Sequence, residues 1–226
     1  MMPARAIAAA VSAAAIVVTV WLGTAAQAAP AVQLTGTQLA SALLPASYFP
    51  VGYKVVKSTV SNSGPRLEHG PAKYHLATFS CKNYLVNGLP ETGFGETSSA
   101  GDAVNRGSQA YQQGVWQFAS ASQAASFYRQ FYAFTWRCRS ITATVGHDKA
   151  ALTTQLLMKT EVGRHAAFRA VQTATLTGLP ATMNNTIVTL AGTDVYVIDA
   201  LGSKSPAKPA VPAALLHLIA RVQAAR

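Results

Sequence analysis

The chain has 226 residues, of which 50% are hydrophobic and 12% charged, and its formal net charge is +10. It is too apolar for an intrinsically disordered protein, and its length favours one globular domain. Only 2 cysteines are present, which excludes a disulfide-dense small scaffold and a four-cysteine zinc site.

The first 28 residues have the pattern of a secretory signal peptide. Arg5 precedes an apolar stretch over residues 6–23, and Ala26-Gln27-Ala28 follows as a small-residue cleavage site. We therefore predict export, cleavage after Ala28 and a mature domain over residues 29–226. The alternative is a retained membrane anchor, because the apolar stretch has about the length that spans a bilayer.

The charge balance favours anionic partners. Without Arg5, the mature chain would carry 17 basic against 8 acidic residues, a net charge of +9. Such an excess promotes peripheral contact with anionic surfaces, for example acidic envelope polymers or phospholipid headgroups. The basic residues are scattered singly and the chain is predicted to be exported, so we do not expect it to bind nucleic acid.

Cys81 and Cys138 are expected to form one structural disulfide, because exported proteins fold in an oxidising compartment. No histidine lies at zinc-ligand spacing from either cysteine, and the five histidines are widely spread. The sequence also lacks the glycine-rich motifs that hold phosphates and dinucleotides. We therefore predict neither a metal site nor a cofactor.

The first part of the mature chain predicts short helices and several strands. The helices cover residues 33–44, capped by Thr35 or Thr37, and 82–86; the strands cover residues 53–60, 73–80, 97–106 and 109–118. In the last of these strands, Tyr111 and Val115 alternate with polar neighbours. Gly114 predicts a bulge, after which Trp116 moves to the apolar side.

The clearest predicted helix begins at Ser120, which with Gln123 has the spacing of a capping box. Apolar residues then recur at helical spacing, at positions Ala124, Phe127, Phe131, Phe134 and Cys138. The opposite side carries Tyr128, Tyr132 and Trp136. This side is either buried between the sheet and a connector or exposed as a surface for a partner protein.

The second part of the mature chain is rich in strand patterns. Strands are predicted over residues 140–145, 153–161, 165–176, 185–190 and 195–201, with a hairpin turn at 191–194. The last strand is apolar on both faces, which predicts a central position in the sheet. A proline-containing linker over residues 202–211 leads to a terminal helix that opens at Pro212. This order predicts a single α+β domain with a twisted, largely antiparallel sheet flanked by a few helices.

No motif for catalysis is present, since G-x-S-x-G and H-E-x-x-H are both absent. We therefore predict a non-enzymatic protein. His165 and Arg169 lie four positions apart on the wet side of one predicted strand and would form a cationic spot. Tyr111 and Trp116 would join them, if the strand faces converge, to form a ligand cleft.

Several segments resemble the extracellular sensor domain of the mycobacterial Ser/Thr kinase PknH and its free-standing exported relatives in actinobacteria. The resemblance rests on the segments Leu-Leu-Pro-Ala-Ser-Tyr-Phe-Pro-Val-Gly-Tyr at 43–53, 111–118, Ser-Gln-Ala-Ala at 122–125 with Trp-Arg-Cys at 136–138, and 195–222. It implies one α+β sensor-like domain with a ligand-binding cleft. The kinase relative has two disulfides, whereas this chain can form only one, and no kinase domain is present.

The sequence thus favours a secreted, non-enzymatic sensor-like domain that binds an extracellular small molecule or an envelope component. One alternative is a secreted hydrolase with an unrecognised Ser/His/Asp site. Another is an interaction module that docks on an envelope protein through Tyr128, Tyr132 and Trp136.

Overall fold

The structure, a computed structural model, describes residues 32–62, 71–203 and 210–226. The predicted signal segment lies outside these residues, as do the central parts of the predicted loop 61–71 and of the predicted linker 202–211. The chain from Val32 to Arg226 forms one compact unit. Within the described ranges, no helix combines the length and the apolar composition that a membrane span requires.

Within the described residues, eight antiparallel strands form a single sheet. They are β1 (Lys54–Ser61), β2 (Ser98–Arg106), β3 (Gln109–Gln117), β4 (Ser140–Val145), β5 (Asp148–Val162), β6 (His165–Leu176), β7 (Thr182–Ala191) and β8 (Asp194–Gly202). Their order in the sheet is β1-β2-β3-β8-β7-β6-β5-β4. Two runs of sequential hairpins therefore meet where β3 pairs with β8. The α+β class and the antiparallel sheet are confirmed.

Strand β8 lies in the centre of the sheet, as its sequence predicts. It pairs with β3 on one side and with β7 on the other. Val195 and Val197 belong to the core on one face of the sheet, whereas Tyr196 and Ile198 belong to the core on the other. Because side chains alternate along a strand, an apolar run on both faces fits a strand that is covered on both sides.

Helices α1 (Gly36–Ala42) and α4 (Val211–Ala224), the first and last described helices, cover one side of the sheet, which we call the terminal-helix face. Thr35 and Gln38 form a capping box at α1, which begins the helix at Gly36 rather than at the predicted residue 33. Pro212 lies in the first turn of α4. The apolar residues along one side of α4 are buried: Leu215, Leu218, Ile219 and Val222.

Helices α2 (Cys81–Asn87) and α3 (Ala121–Arg137) cover the opposite side, which we call the disulfide face. The side chains of Ser80 and Ser120 cap these helices. The predicted apolar stripe of α3 is buried from Ala124 to Phe134. The predicted disulfide joins Cys81, at the start of α2, to Cys138, at the end of α3.

The strand predicted over residues 73–80 is absent, and this prediction is wrong. The backbone N–H groups of Thr78 and Phe79 both donate to the carbonyl of His75, which makes a turn. The Arg137 guanidinium on α3 donates to the carbonyl oxygens of Leu76, Ala77 and Phe79. These backbone groups therefore bind within the turn and to α3, so they do not pair with another strand.

The bulge predicted at Gly114 is also absent. Gly114 pairs in regular register with Gly101 on β2 and with Val197 on β8. Side chains therefore alternate without interruption along β3, so Tyr111 and Trp116 lie on opposite faces of the sheet.

Candidate ligand-binding cleft

A cleft of about 350 Å³ lies on the disulfide face, between the central strands and helices α2 and α3. The segment 87–91, which begins at the last residue of α2, forms part of its rim. The volume falls within the range of small-molecule sites, roughly 300–1,000 Å³. The cleft is therefore large enough to enclose most of a small ligand.

The cleft exists because the strands beneath it carry small residues. Gly101 on β2 lies opposite Gly114 on β3, and Ala103 and Ala170 also line the floor. A Cβ atom added at Gly114 would lie 3.2 Å from Cγ1 of Val197, which is tight for a side-chain contact. Protein interiors are otherwise filled at high density, so this run of small residues leaves a space open.

Aromatic side chains form the apolar wall of the cleft. The ring centroids of Trp116 and Phe131 are 6.3 Å apart, and those of Phe131 and Phe168 are 5.7 Å apart. All three residues line the cleft; Phe131 and Phe168 are buried, and Trp116 is partly exposed. Such a wall offers contacts to apolar surface and, through the ring faces, to cations.

The rim segment 87–91 is held to the sheet at Glu91. The indole Nε1 of Trp116 donates to the carbonyl oxygen of Glu91 at 3.0 Å. Lys57 Nζ on β1 lies 2.5 Å from Glu91 Oε1, in an exposed ion pair that contributes little to stability. Gly88, with φ of +73°, ends α2 and turns the chain into the segment. Trp116 therefore connects the aromatic wall to the rim.

Polar side chains gather at the other end of the cleft. Thr186 lies opposite Asp199 across β7 and β8, and Gln172 lies opposite Asn184 across β6 and β7. The hydroxyl of Tyr84 on α2 donates to Gln172 Oε1 at 3.4 Å. The Oδ1 atoms of Asp199 and Asn184 are buried and have no hydrogen-bond partner in the structure. This end of the cleft therefore has acceptors that lack donors.

Burial raises the pKa of the Asp199 carboxyl from 3.8 to about 6, and a hydrogen bond with Thr186 offsets part of the rise. Burial and the nearby Asp199 charge raise the pKa of Tyr84, and the bond with Gln172 opposes this rise. A carboxylate that is desolvated in this way keeps its charge at a cost in free energy. Such groups are frequent in functional sites.

Of the four residues predicted for the ligand cleft, the structure places Trp116 alone in the cleft described here. Tyr111 is 1% exposed and belongs to the core of the terminal-helix face, where its ring centroid lies 5.0 Å from that of Phe49. The prediction grouped Tyr111 and Trp116 by side-chain type, on strand faces that could converge. With regular alternation along β3, the sheet separates them.

His165 and Arg169 lie on the terminal-helix side of β6. They alternate with Phe168, which packs on the disulfide face, and Arg169 pairs across the sheet with Ile187 of the terminal-helix core. Arg169 Nε donates to Asn185 Oδ1 at 2.9 Å. The predicted convergence of these two residues with Trp116 is therefore not observed.

The polar end of the cleft was not predicted from the sequence, although one signal was present. Asp199 is a carboxylate within the apolar run of the central strand β8. Acidic residues are rarely accepted at such positions unless they are paired. Tyr84 and Gln172 carried no comparable signal, because their meeting depends on the pairing of distant segments.

The outer side of α3 is partly covered. Tyr128 and Tyr132 both pack on Phe168, each with ring centroids 5.5 Å apart. Trp136 is 53% exposed, and the guanidinium carbon of Arg139 lies 4.6 Å from its ring centroid. Tyr128 and Tyr132 thus follow the buried alternative, whereas Trp136 is the one of the three that solvent reaches most.

The described residues of the cleft do not assemble the groups of a Ser/His/Asp hydrolase. No histidine is found among the described residues that line it. His147 and Asp148 lie at the exposed turn between β4 and β5. In the same part of the chain, no three His, Cys, Asp or Glu side chains are grouped to hold a metal ion.

Comparison with known proteins identifies a structural relative. No family model and no curated protein matches the sequence. The extracellular domain of PknH from Mycobacterium tuberculosis aligns with 84% of this chain and 96% of its own, at a TM-score of 0.59 and 16% identity. This chain shares the fold of the PknH extracellular domain. The predicted PknH-like fold is therefore confirmed.

A second solved structure, of a putative uncharacterized protein from Mycobacterium smegmatis, aligns with 82% of this chain and 95% of its own. Its TM-score is 0.36 at 12% identity, which is too low to support an argument.

Proposed function

We propose that this protein is an exported, non-enzymatic sensor-like domain that binds an extracellular or cell-envelope ligand in the cleft of the disulfide face. The observation that carries the proposal is the combination of open volume, an aromatic wall and unpaired buried acceptors in one place. Folding does not require such a combination, because buried polar groups are normally paired and cores are filled.

Export is supported by two independent features. The predicted signal peptide ends at Ala28, and Cys81 and Cys138 form a disulfide, which is typical of proteins in oxidising compartments. The fold shared with an extracellular domain agrees with this localisation. Cleavage would be supported if the protein recovered from culture medium or cell envelope began at Ala29. If residues 1–28 were still attached, the segment would instead be a membrane anchor.

The proposal is tested by a thermal-shift screen against peptidoglycan fragments, glycans and envelope lipids, followed by tryptophan fluorescence. A ligand at a hundredfold excess over its dissociation constant stabilises the folded state by about 2.7 kcal/mol. Because Trp116 lines the cleft and Trp136 does not, the fluorescence change should vanish in Trp116→Phe and persist in Trp136→Phe.

A variant that fills the cleft provides the control. Ala103 is partly exposed and lines the floor, so Ala103→Phe should abolish the thermal shift with the fold intact. Ala166→Phe, at an exposed position at the start of β6 and outside the cleft, should leave the shift unchanged. A hit that stabilises both variants equally would place binding elsewhere and contradict the proposal.

The interaction-module alternative has one observation in its favour, the exposed Trp136 with Arg139 against its ring. Exposed aromatic and arginine side chains are common at the centres of protein interfaces. Retention of an envelope protein by the native chain, lost in Trp136→Ala and unaffected by Ala103→Phe, would support this alternative over ligand binding. The hydrolase alternative predicts labelling by a fluorophosphonate probe.

A further inference from the structure

At the polar end of the cleft, the buried atoms without a hydrogen-bond partner are acceptors, the Oδ1 atoms of Asp199 and Asn184. Asp199 lies between Thr186 on β7 and Gln112 on β3, which are both uncharged. Asn184 lies diagonally across from Asp199 on β7, within reach of a shared small group. The Oδ1 atoms of Asp199 and Asn184 are both buried without a partner. A ligand that supplies donors would therefore satisfy two groups that the protein leaves unsatisfied.

The charge of Asp199 is also uncompensated. The sequence contains 18 Lys and Arg against 8 Asp and Glu, yet Lys57 is the one basic residue among the described residues that line the cleft. Lys57 lies at the rim and is already paired with Glu91. In the described ranges, the other salt bridge joins Arg226 to Asp194 on the terminal-helix face. Since a desolvated carboxylate without a cation is unfavourable, a cationic ligand would compensate it.

The aromatic wall suits the same ligand. Trp116, Phe131 and Phe168 offer ring faces and apolar surface, and Tyr84 is close enough for the Asp199 charge to act on its hydroxyl. Ring faces attract cations, and the attraction grows when water is excluded. An anionic ligand would instead meet Asp199 with no basic side chain free to balance it.

We propose that the cleft selects small organic cations, with a primary ammonium group bound by Asp199 and Asn184 and an apolar body against Trp116 and Phe131. This inference rests on the proposed function, since it names the ligand class of the same cleft. The ammonium group has three N–H donors, so it can bond both orphaned oxygens and present its third hydrogen to Gln172 or to water.

Three probes with the same apolar body and different head groups test this selectivity: 4-phenylbutylamine, 4-phenylbutan-1-ol and 4-phenylbutanoate. Binding to the native protein is measured at pH 8 by calorimetry. We expect the amine to bind at least tenfold more tightly than the alcohol, and the carboxylate to bind more weakly than the alcohol. Asp199→Asn should lower the affinity for the amine to that for the alcohol and leave the alcohol unchanged. Asp148→Asn, at the exposed turn after β4, should preserve the tenfold preference.

The selectivity should also depend on pH. Asp199 has a pKa of about 6, so acidification from pH 8 to pH 5 protonates it and removes the preference for the amine. The groups that face Asp199 from β3 and β7, Gln112 and Thr186, do not titrate. Tyr84 on α2 does titrate, but its pKa is raised from 10, so it stays neutral over this range.

The outcomes separate this inference from the proposed function. Equal binding of amine and alcohol, both abolished by Ala103→Phe, would keep the cleft as a ligand site and overturn the preference for cations. Binding of all three probes that survives Ala103→Phe would overturn both. A preference for the amine that persists in Asp199→Asn, or no binding of any probe at millimolar concentration, would overturn the cation proposal.

Discussion

Asp194 and Asp199 lie on the same strand and on opposite faces of the sheet, and their surroundings differ. On the terminal-helix face, Asp194 accepts hydrogen bonds from the hydroxyl of Tyr196 at 2.7 Å and from Gln117 Nε2 at 3.4 Å. It also pairs with Arg226 at 2.5 Å. On the disulfide face, Asp199 bonds with Thr186 and leaves Oδ1 unpaired.

The pKa values of the two carboxyl groups reflect this difference. Burial raises the pKa of both, but at Asp194 the Arg226 charge and three hydrogen-bonding side chains counteract the rise. At Asp199 a single hydrogen bond does so, and the pKa stays at about 6. The Asp194 carboxylate thus belongs to a satisfied network, whereas the Asp199 carboxylate keeps one oxygen without a hydrogen-bond partner. Groups that are kept unsatisfied at a cost in stability are typical of functional sites.

The two faces of the sheet also differ in how completely side chains fill them. Large side chains such as Tyr111, Tyr196 and Leu215 fill the terminal-helix face, and all three are at most 1% exposed. On the disulfide face, Gly114 and Ala170 leave the cleft open. The same strands therefore build a closed core on one side and an open cleft on the other, because side chains alternate along each strand.

The largest loss of stability is expected when the Cys81–Cys138 disulfide, on the same face as the cleft, is removed. The bridge closes a loop with a sequence separation of 57, which corresponds to about 4 kcal/mol in the chain-entropy model. We expect Cys81→Ser combined with Cys138→Ser to lower the free energy of unfolding by about this amount in urea denaturation. Wild-type protein under reducing conditions is the matched control and should lose the same stability. A loss below about 1 kcal/mol would contradict this expectation. It would mean that residual contacts already restrict this loop in the unfolded chain without the disulfide.

Loss of the Asp194 network should have the next largest effect. In Asp194→Ala, the buried Tyr196 hydroxyl and Gln117 amide lose their acceptor, and each unsatisfied group costs about 1–3 kcal/mol. We therefore expect the free energy of unfolding to fall by about 3 kcal/mol. Asp148→Ala, at an exposed turn, should change it by less than about 0.5 kcal/mol. Similar small losses in both variants would refute a structural role for the network.

Substitution of Asp199 should change the free energy of unfolding in the opposite direction, because it should stabilise the protein. Its folded-state pKa of about 6 exceeds 3.8, so the folded state binds protons more tightly and loses stability as the pH rises between these values. Asp199→Asn should therefore be more stable than wild type by about 3 kcal/mol at pH 8 and by less than about 1 kcal/mol at pH 4. Urea denaturation at both pH values measures this. A variant that is less stable at pH 8 would show that Asp199, like Asp194, is a structural residue.

Much of the fold could be predicted from the sequence, because periodicity is a local property. The apolar stripe of α3, the central position of β8 and the disulfide all follow from residue order alone. The strand predicted at 73–80 failed because Arg137, distant in sequence, binds its carbonyl groups. That contact is tertiary, and no local pattern encodes it.

The candidate site was harder to predict than the fold, because a cleft depends on which face each side chain takes. The bulge predicted at Gly114 put Tyr111 and Trp116 on one side of the strand, whereas the regular pairing there puts them on opposite faces. The cleft also depends on side chains that are too small to fill the space. In the sequence, the run of small residues in β2 predicts only a weak strand and gives no sign of a cleft. Asp199 was the one position where an acidic residue in an apolar strand marked the site.

The smallest effect is expected at Trp136, outside both cores. Trp136→Ala should lower the free energy of unfolding by about 0.5 kcal/mol, because the side chain is 53% exposed and its main neighbour is the flexible Arg139. Phe134, on the same helix and 1% exposed, is the matched control, and Phe134→Ala should cost about 3 kcal/mol or more. Urea denaturation of the two variants compares them directly. If Trp136→Ala lowered the free energy of unfolding as much as Phe134→Ala, the outer side of α3 would belong to the core. Trp136 would then not be available to bind a partner protein.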